Sequence, residues 1–167
     1  SRRMMKDGIE VYGYRRNYEK AQEALENGYV DGVSIDIETL VHDVKQTGPG
    51  IFMMVVPAET VEETLNGLLQ FCSEGDIIID HGNSNFKDSR KRADRLAKLG
   101  MSYIDCGTSG GVYGLERGYC LMVGGAKFAV FVCAPIFMAH APAIGGPSRT
   151  HPFNLVSALR CLASRWL

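Results

Sequence analysis

Clusters of glycine and small polar residues follow two of the apolar runs of this sequence. Residues 80–84 (Asp-His-Gly-Asn-Ser) and residues 107–111 (Gly-Thr-Ser-Gly-Gly) each come directly after such a run, and a third run is flanked by glycines at residues 118–125. Glycine lets a backbone approach a ligand closely, and the N–H groups at the start of a helix attract anions. Together these turns predict an anion-binding wall across residues 80–125. Each glycine alone is equally consistent with an ordinary tight turn.

Two adjacent arginines, Arg15 and Arg16, and then Asn17 follow the apolar run at residues 9–14. In a nucleotide-binding sheet the end of the second strand meets the adenine ribose. An acidic residue there holds the 2′-hydroxyl of NAD, whereas arginine accommodates the 2′-phosphate of NADP. Because two arginines and no carboxylate occur here, the sequence favours NADP, with NAD as the alternative. A solvated pair of basic side chains is the competing interpretation.

These positions need strands that end at one edge of a sheet. Apolar runs at residues 9–14, 51–56, 77–79 and 103–106 are separated by segments of helical periodicity, which predicts a parallel sheet with helices on its faces. The second and third runs do not alternate with polar residues, so both of their faces should be covered. In a doubly wound sheet of this kind, ligands bind beyond the carboxyl ends of the strands.

Residues that typically cap the ends of helices lie between the runs. Asn17 and Asp36 are predicted N-caps of two helices. Thr60 with Glu63 has the spacing of a capping box. Ser84 is the predicted cap of the helix that follows the third run. The caps therefore place a helix after each predicted strand but the last.

The composition excludes several classes of function. The 18 basic and 19 acidic side chains leave a net charge of -1, which gives no field that would collect nucleic acid or an anionic membrane. No apolar run approaches the roughly 20 residues of a membrane-spanning helix. The five cysteines lack the paired spacing of a zinc site or a disulfide framework. We therefore expect a soluble, cytoplasmic protein without a metal ion, and neither nucleic acid nor a membrane as partner.

Two stretches of the sequence resemble the signature regions of one enzyme family. Residues 80–88 (DHGNSNFKD) and residues 105–125 (DCGTSGGVYGLERGYCLMVGG) are similar to those of decarboxylating 6-phosphogluconate dehydrogenase, particularly its shorter bacterial-type form. The likeness extends over residues 1–140. It implies a Rossmann-type α/β domain with a doubly wound parallel sheet that binds NADP or NAD. It also implies the oxidation of 6-phosphogluconate and the loss of carbon dioxide to give ribulose 5-phosphate, a step of the pentose phosphate pathway.

The resemblance and the strand ends together assign roles to individual residues. The implied substrate-binding residues are Asn83, Ser109, Gly110 and Gly111. The expected cofactor-binding residues are Arg15, Arg16, Asn17, Val55, Val56, Pro57, Ala58 and Asn83. Arg16 stands where the family has its 2′-phosphate-binding arginine, whereas Arg15 stands where Asn or Asp is usual. The implied cofactor is NADP, with NAD as the alternative, and the implied substrate is a small phosphosugar acid.

Three features depart from the family pattern. The GxGxxG turn that cradles a pyrophosphate does not occur in the 167 residues. His81 replaces the second glycine of the usual Asp-Gly-Gly-Asn-Ser turn; we expect it to be tolerated, with impaired ligand binding as the alternative. The family's catalytic base is the lysine of a Lys-x-x-x-Asn pattern, followed later by a glutamate that acts as the acid. Because neither lysine nor glutamate occurs after Lys127, no catalytic residue is assigned.

The predicted organisation is one incomplete dinucleotide-binding domain followed by a tail. Residues 1–140 form the domain, and the first strand of its sheet is expected to be missing. Residues 141–167 form a linker rich in proline and glycine and then a divergent, short amphipathic helix. The all-helical C-terminal domain of the family is expected to be absent, and apolar surface is expected to be exposed as a result. The complete family member is expected to be a homodimer.

Three functions are compatible with the sequence. The first is NADP-dependent 6-phosphogluconate dehydrogenase, of which this chain is expected to be an incomplete part. The second is a non-catalytic remnant, such as a weak nucleotide-binding or phosphosugar-binding module. The third is another β-hydroxyacid dehydrogenase, such as 3-hydroxyisobutyrate dehydrogenase, against which the stretches at residues 80–88 and 113–119 argue.

Overall fold

The computed structural model describes residues 2–142, in which strands and helices alternate as the apolar runs predict. In chain order, the elements are α1 (Arg2–Lys6), β1 (Tyr12–Tyr14), α2 (Tyr18–Glu26), β2 (Gly32–Ser34), α3 (Ile37–Val44), β3 (Ile51–Met54), α4 (Val61–Leu69), β4 (Ile77–Asp80), α5 (Phe86–Ala97), β5 (Ser102–Ser109), α6 (Gly114–Arg117), β6 (Cys120–Gly125), α7 (Lys127–Val132) and α8 (Ala134–His140). Short 3₁₀ turns precede α4 at Ala58–Thr60 and α6 at Gly111–Tyr113. The predicted tail helix lies outside the described residues.

The central sheet has four strands in the order β3-β4-β5-β6. The first three are parallel, with Ile51 opposite Ile77 and Ile77 opposite Ser102. β6 runs antiparallel to β5, which the sequence does not predict. An antiparallel neighbour needs only a short connection, whereas a parallel one needs a crossover of about a dozen residues or more. The parallel core of the sheet and its flanking helices make this a Rossmann-like α/β fold, as expected.

Helices cover both faces of the central sheet. One face packs against α4 and α5 in a cluster that includes Ile78, Leu65 and Leu96. The other face packs against α7 and α8 in a cluster that includes Ile79 and Phe137. All four residues of β4 are buried, which confirms the prediction drawn from its non-alternating sequence. The same prediction is wrong in part for residues 51–56, because β3 alternates half-buried with buried residues and Val55 is exposed. Burying an aliphatic side chain of this size stabilises a fold by about 1.5–3 kcal/mol.

β1 and β2 form a separate, parallel sheet of two strands. The apolar pattern does not predict β2, because Gly32–Ser34 contains a single large apolar side chain. The N–H of Val11, just before β1, donates a hydrogen bond at 2.8 Å to the carboxylate of Asp31, just before β2. In the doubly wound strand order, the first strand lies between the counterparts of β1 and β3. Among residues 2–142, no strand pairs with both β1 and β3.

The predicted helix caps are confirmed in part. Asn17 caps α2 by accepting a hydrogen bond from Lys20 N at 2.9 Å, and Asp36 caps α3 by accepting one from Thr39 N at 2.7 Å. The capping box at Thr60 is wrong, because its hydroxyl donates to Pro57 O. The cap at Ser84 is also wrong, because Asn85 caps α5. The hydroxyl of Ser84 donates instead to the Asp80 carboxylate.

The surface of the described residues carries several large apolar side chains. On α7 and α8, Phe128, Phe131 and Met138 are 75%, 63% and 60% exposed. In the same part of the chain, no helix combines the length and the apolar character needed to cross a membrane.

Candidate functional site

Three predicted binding segments lie side by side at the carboxyl ends of neighbouring strands. Residues 55–58 follow β3, Asn83 follows β4, and Ser109 ends β5 and leads into Gly110 and Gly111. Within these segments every residue except Val56 is exposed. Because β3, β4 and β5 are adjacent and parallel, the three segments open onto one edge of the sheet. This is the edge at which α/β sheets bind ligands.

Asp80 organises the turn that follows β4. Its side chain is fully buried. One carboxylate oxygen accepts a hydrogen bond from Gly82 N at 2.7 Å, and the other accepts from Ser84 Oγ at 2.6 Å and from the hydroxyl of Tyr103. Burial and this bond to a carboxylate raise the pKa of Tyr103 well above its usual value. Because a buried carboxylate must be paired with donors, the turn is held closely around Asp80.

Arg92 connects this turn to α4. It is only 8% exposed, and its guanidinium donates to Ser84 Oγ at 3.1 Å and to Glu62 Oε2 at 2.9 Å. It also lies 3.6 Å from the Asp80 carboxylate. Arg95 adds a second bond to Glu62 at 2.8 Å. The hydrogen bond from Arg92, with the charge of Arg95, holds the pKa of Glu62 below its usual value against the opposing effect of burial.

Gly82 brings the turn after β4 into contact with the segment after β3. A side chain at this position would meet the Val61 side chain at 2.7 Å and the Val56 carbonyl oxygen at 2.9 Å. The backbone N–H of His81 also donates to Met54 O at 2.9 Å. The close approach requires glycine, so the predicted cofactor segment and the predicted substrate turn are packed directly against each other.

Asn83 joins the ends of β4 and β5. It is the one residue other than glycine with positive φ among the described residues, at 54°, a conformation that asparagine tolerates better than most side chains. Its amide oxygen accepts a hydrogen bond from Thr108 N at 3.1 Å, and its amide nitrogen donates to Thr108 O at 3.4 Å. The predicted ligand-binding asparagine therefore also fixes the strand that carries Ser109.

His81 places its ring between the two turns and α8. Its Nδ1 lies 2.8 Å from Thr108 Oγ1, and its ring centroid lies 6.3 Å from that of His140. Its Nε2 is buried and has no hydrogen-bond partner among the described residues. Burial, followed by the neighbouring His140, lowers the pKa of His81 to about 4. His81 is thus neutral at physiological pH.

The Ser109-Gly110-Gly111 turn leaves room for a ligand. Gly110 and Gly111 have φ angles of 146° and 48°, which side chains rarely adopt. Among the described residues, no atom lies within 4 Å of the position that a Cβ of Gly111 would take. The open space and the exposed backbone fit the close approach of a nicotinamide or a sugar acid.

Arg15, Arg16 and Asn17 lie at the end of β1, in the two-stranded sheet rather than in the central one. All three are exposed, and the Arg15 N–H donates to Ser34 O at 3.3 Å. Arg15 lines a cavity of about 230 Å³ together with Gly13, Tyr14, Ala21, Ala24, Tyr29, Val30 and Val33. The two exposed guanidinium groups fit an anionic group, such as the 2′-phosphate of a nucleotide.

The sequence pattern does not predict the buried polar residues behind the turns. Arg92 and Ser89 are buried on the same side of α5 as Leu96. Their spacing could have indicated a charge directed into the core, because residues three and four apart share a helix face. Asp80 ends a run of three isoleucines, which also places a carboxylate on a buried strand. Nothing in the local sequence indicates Glu62 or Thr108.

The described residues contain no metal-binding cluster, and the cysteine at the end of β5 is buried. No group of three or more His, Cys, Asp or Glu side chains between residues 2 and 142 could hold a metal ion. Cys106 lies next to the glycine-rich end of β5 but is buried, and burial raises the pKa of its thiol to about 12. A reactive thiolate is therefore not formed there at neutral pH.

Known proteins share both this sequence and this fold. The model of the family described as the NAD binding domain of 6-phosphogluconate dehydrogenase matches residues 1–147. The decarboxylating 6-phosphogluconate dehydrogenase of Drosophila melanogaster is 38% identical over 138 residues, which are 81% of this chain and 29% of that protein. The one from Candida albicans is 42% identical over 131 residues, or 75% of this chain and 25% of that protein. The chain thus spans less than a third of the length of these curated relatives.

A solved structure of Plasmodium falciparum 6-phosphogluconate dehydrogenase, described in apo form and in complexes with NADP+ and with 6-phosphogluconate, superimposes with a TM-score of 0.70. It is 27% identical, and the match covers 87% of this chain and 32% of that one. The chain, whose exposed turns line the carboxyl ends of a Rossmann-like sheet, belongs to the 6-phosphogluconate dehydrogenase family and corresponds to its NAD(P)-binding domain.

Proposed function

We propose that this chain supplies the nicotinamide-binding and substrate-binding wall of an enzyme that oxidises and decarboxylates 6-phosphogluconate to ribulose 5-phosphate with NADP. The observation that carries the proposal is the alignment of three segments, at residues 55–58, 80–84 and 109–111, along the carboxyl ends of β3, β4 and β5. Asn83 is the exposed residue of the middle segment. The family resemblance of the same turns supports the substrate, a phosphosugar acid.

The cofactor side of the proposal rests on two groups of residues. The exposed segment at residues 55–58 would lie along the nicotinamide and its ribose, because it adjoins the substrate turn through Gly82. Arg15 and Arg16 would hold the 2′-phosphate, since both are exposed at a strand end and guanidinium binds phosphate strongly. When bound, the nicotinamide would accept the hydride from the substrate. The arginines therefore favour NADP over NAD.

The substrate side rests on the turns after β4 and β5. Asn83 and Ser109 are exposed and carry hydrogen-bonding side chains. The backbone of Gly110 and Gly111 is open to solvent and can donate N–H groups to an anionic or hydroxylated ligand. These residues bind and orient the sugar acid in the proposal, and none of them is assigned a proton-transfer step.

Ligand titration tests the proposal on the 167-residue protein. The fluorescence of NADPH and of NADH should report tighter binding of NADPH, and 6-phosphogluconate should shift amide resonances of residues 109–111. Arg16→Ala should weaken NADPH binding by about tenfold, the equivalent of one charge-assisted hydrogen bond. Lys20→Ala, which removes an exposed cation from the neighbouring helix α2, should not. Tighter binding of NADH, or an equal loss in both variants, would contradict the assignment of the arginines.

A non-catalytic binding module is the second candidate function. It would require only the exposed arginines at the end of β1 and the exposed turn at residues 109–111, none of which is assigned a proton-transfer step. For the chain as given we expect negligible turnover, because proton transfer to and from the substrate has no assigned residue. Formation of NADPH from NADP and 6-phosphogluconate by the purified chain would contradict this expectation.

3-Hydroxyisobutyrate dehydrogenase shares the fold but has less support. A Salmonella typhimurium structure of that enzyme superimposes with a TM-score of 0.69 at 20% identity, covering 84% of this chain and 48% of that one, which concerns the fold alone. The resonances of residues 109–111 discriminate between the substrates. They should shift with 6-phosphogluconate and remain unchanged with 3-hydroxyisobutyrate.

A further inference from the structure

Thr108 is held by four hydrogen bonds just before the exposed turn at residues 109–111. The amide of Asn83 bonds to both its backbone N–H and its backbone carbonyl. Its hydroxyl lies 3.1 Å from Cys106 O and 2.8 Å from His81 Nδ1. Two neighbouring residues of the turn after β4, His81 and Asn83, thus converge on one residue of β5.

The hydroxyl of Thr108 determines the tautomer of His81. A hydroxyl has one hydrogen, and the Thr108 hydroxyl donates it to the Cys106 carbonyl oxygen, which can only accept. The oxygen of Thr108 must therefore accept from His81, so the proton of the neutral ring resides on Nδ1. The Nε2 atom is left with its lone pair, buried and without a partner among the described residues.

The same ring joins the two turns to the last described helix. The His81 ring meets the His140 ring edge to face, and Tyr119 meets His140 in the same manner at 6.0 Å. The His140 Nδ1–H donates to Ile136 O at 3.1 Å, and Tyr119 N donates to His140 O at 2.8 Å. A glycine at position 81 could make neither the bond to Thr108 nor the contact with α8.

We infer that His81 is a positioning residue that fixes the Ser109-Gly110-Gly111 turn in its binding geometry through the hydroxyl of Thr108. A glycine at this position would leave the backbone flexible. The His81 ring instead makes a hydrogen bond that joins the two ligand-facing turns. It does so from behind the turns, because its side chain is directed to Thr108 and His140. That the positioned turn binds the sugar acid rests on the proposed function, whereas the bond to Thr108 does not.

Nitrogen-15 NMR of the histidine rings tests the bond without a ligand. At pH 7, His81 should show the Nδ1–H neutral tautomer, which is the minor form of a free histidine side chain. Thr108→Val should abolish this signature, and Thr108→Ser, which keeps the hydroxyl, should restore it. The exposed His42 serves as the internal control in every spectrum. An Nε2–H tautomer of His81 in the unsubstituted protein would overturn the inference.

Hydrogen exchange tests the positioning role. His81→Ala should accelerate exchange of the Thr108 amide by about tenfold, the loss expected for one hydrogen bond, while the amide of Ile104 in the core of β5 stays unchanged. His81→Asn should rescue most of the protection, because its side-chain amide can donate to the same hydroxyl. Equal acceleration at Thr108 and Ile104 would mean general destabilisation and would overturn the role.

Ligand affinity separates this inference from the proposed function. His81→Ala should weaken 6-phosphogluconate binding several-fold, and His81→Asn should restore it. If the unsubstituted chain binds neither 6-phosphogluconate nor NADPH, the proposed function fails, and the tautomer and exchange measurements still decide the role of His81. If ligand binds equally well to the protein and to His81→Ala, the positioning role fails while the proposed function stands.

Discussion

The two ends of β4 each bury an aspartate, but the two carboxylates are neutralised differently. Asp76, just before the strand, pairs directly with Lys45 at 2.7 Å and accepts backbone N–H groups from Gly50 and Ser73, both at 2.8 Å. Asp80, at the other end, has its cation Arg92 3.6 Å away, and it accepts from one backbone N–H and two side-chain hydroxyls.

The different partners give the two aspartates different roles. Asp76 only stabilises the fold, whereas Asp80 also determines the shape of the surface at the end of β4. Asp76 accepts hydrogen bonds from the backbones of two loops, at Gly50 and Ser73, on the side of the sheet away from the proposed binding turns. Its partners therefore only stabilise the fold. Asp80 holds Gly82 and Ser84 on either side of Asn83, so its partners determine how the exposed turn is presented. Arg92 divides its donors between Ser84 and Glu62, which extends the same network to α4.

Removing the carboxylate of Asp76 should have the largest effect on stability. Asp76→Ala leaves Lys45 without its carboxylate partner, and it removes the acceptor of the buried Gly50 N–H and of the partly buried Ser73 N–H. We expect a loss of about 3–5 kcal/mol in the free energy of unfolding, measured by urea denaturation. Glu74→Ala, at an exposed neighbouring position, should change it little. A loss below 1 kcal/mol for Asp76→Ala would remove the contrast between the two ends.

Neutralising Asp80 should cost less stability but alter the turn. Asp80→Asn keeps one acceptor but loses the charge that Tyr103, Ser84 and Arg92 share, which should cost about 2–3 kcal/mol by the usual value of bonds to charged groups. The amide resonances of Gly82 and Asn83 should shift, and those of Gly50 should not. Shifts at Gly50 as large as those at Gly82 would show that the two ends are not independent.

Low pH should reduce the stability of the fold at the Asp80 end of β4, because His81 is neutral in the folded state. Its folded pKa of about 4 lies below the ordinary value of 6.5, so the unfolded chain takes up the proton first as the pH falls. Stability is full above pH 6.5 and declines toward pH 4, by about 1–3 kcal/mol. Urea denaturation of His81→Gln should lack this part of the pH dependence, whereas His42→Gln should retain it. The same decline in both variants would exclude His81 as the source.

Deleting the hydroxyl of Tyr103 should have the smallest effect of this series. Tyr103→Phe removes one of the donors to Asp80 and leaves the ring in the core, so we expect a loss of about 1 kcal/mol. It should also shift the Asn83 amide resonance less than Asp80→Asn does. Tyr119→Phe, whose ring packs on His140 without a hydroxyl bond to Asp80, is the matched control for removing a tyrosine hydroxyl.

Several features could be predicted from local sequence because their causes are local. The unbroken apolar run of β4 predicts a strand buried on both faces, and Asn17 and Asp36 predict two helix starts. The polar residues after β4 and the glycines after β5 predict turns at these strand ends. Local pattern fails at Ser84, whose hydroxyl could cap a helix but bonds to Asp80 instead. It also fails at β2, whose strand depends on pairing with β1 rather than on its own residues.

The sequence by itself determined the fold class, the family and the positions of the turns proposed to bind ligand, because glycines and apolar periodicity act over a few residues. Only the tertiary structure decided how the turns are held. Glu62 and Arg92 lie 30 positions apart, and His81 and Thr108 lie 27 apart. A buried polar group takes whichever donor or acceptor the packed strands and helices bring near it, and a linear sequence does not contain that proximity.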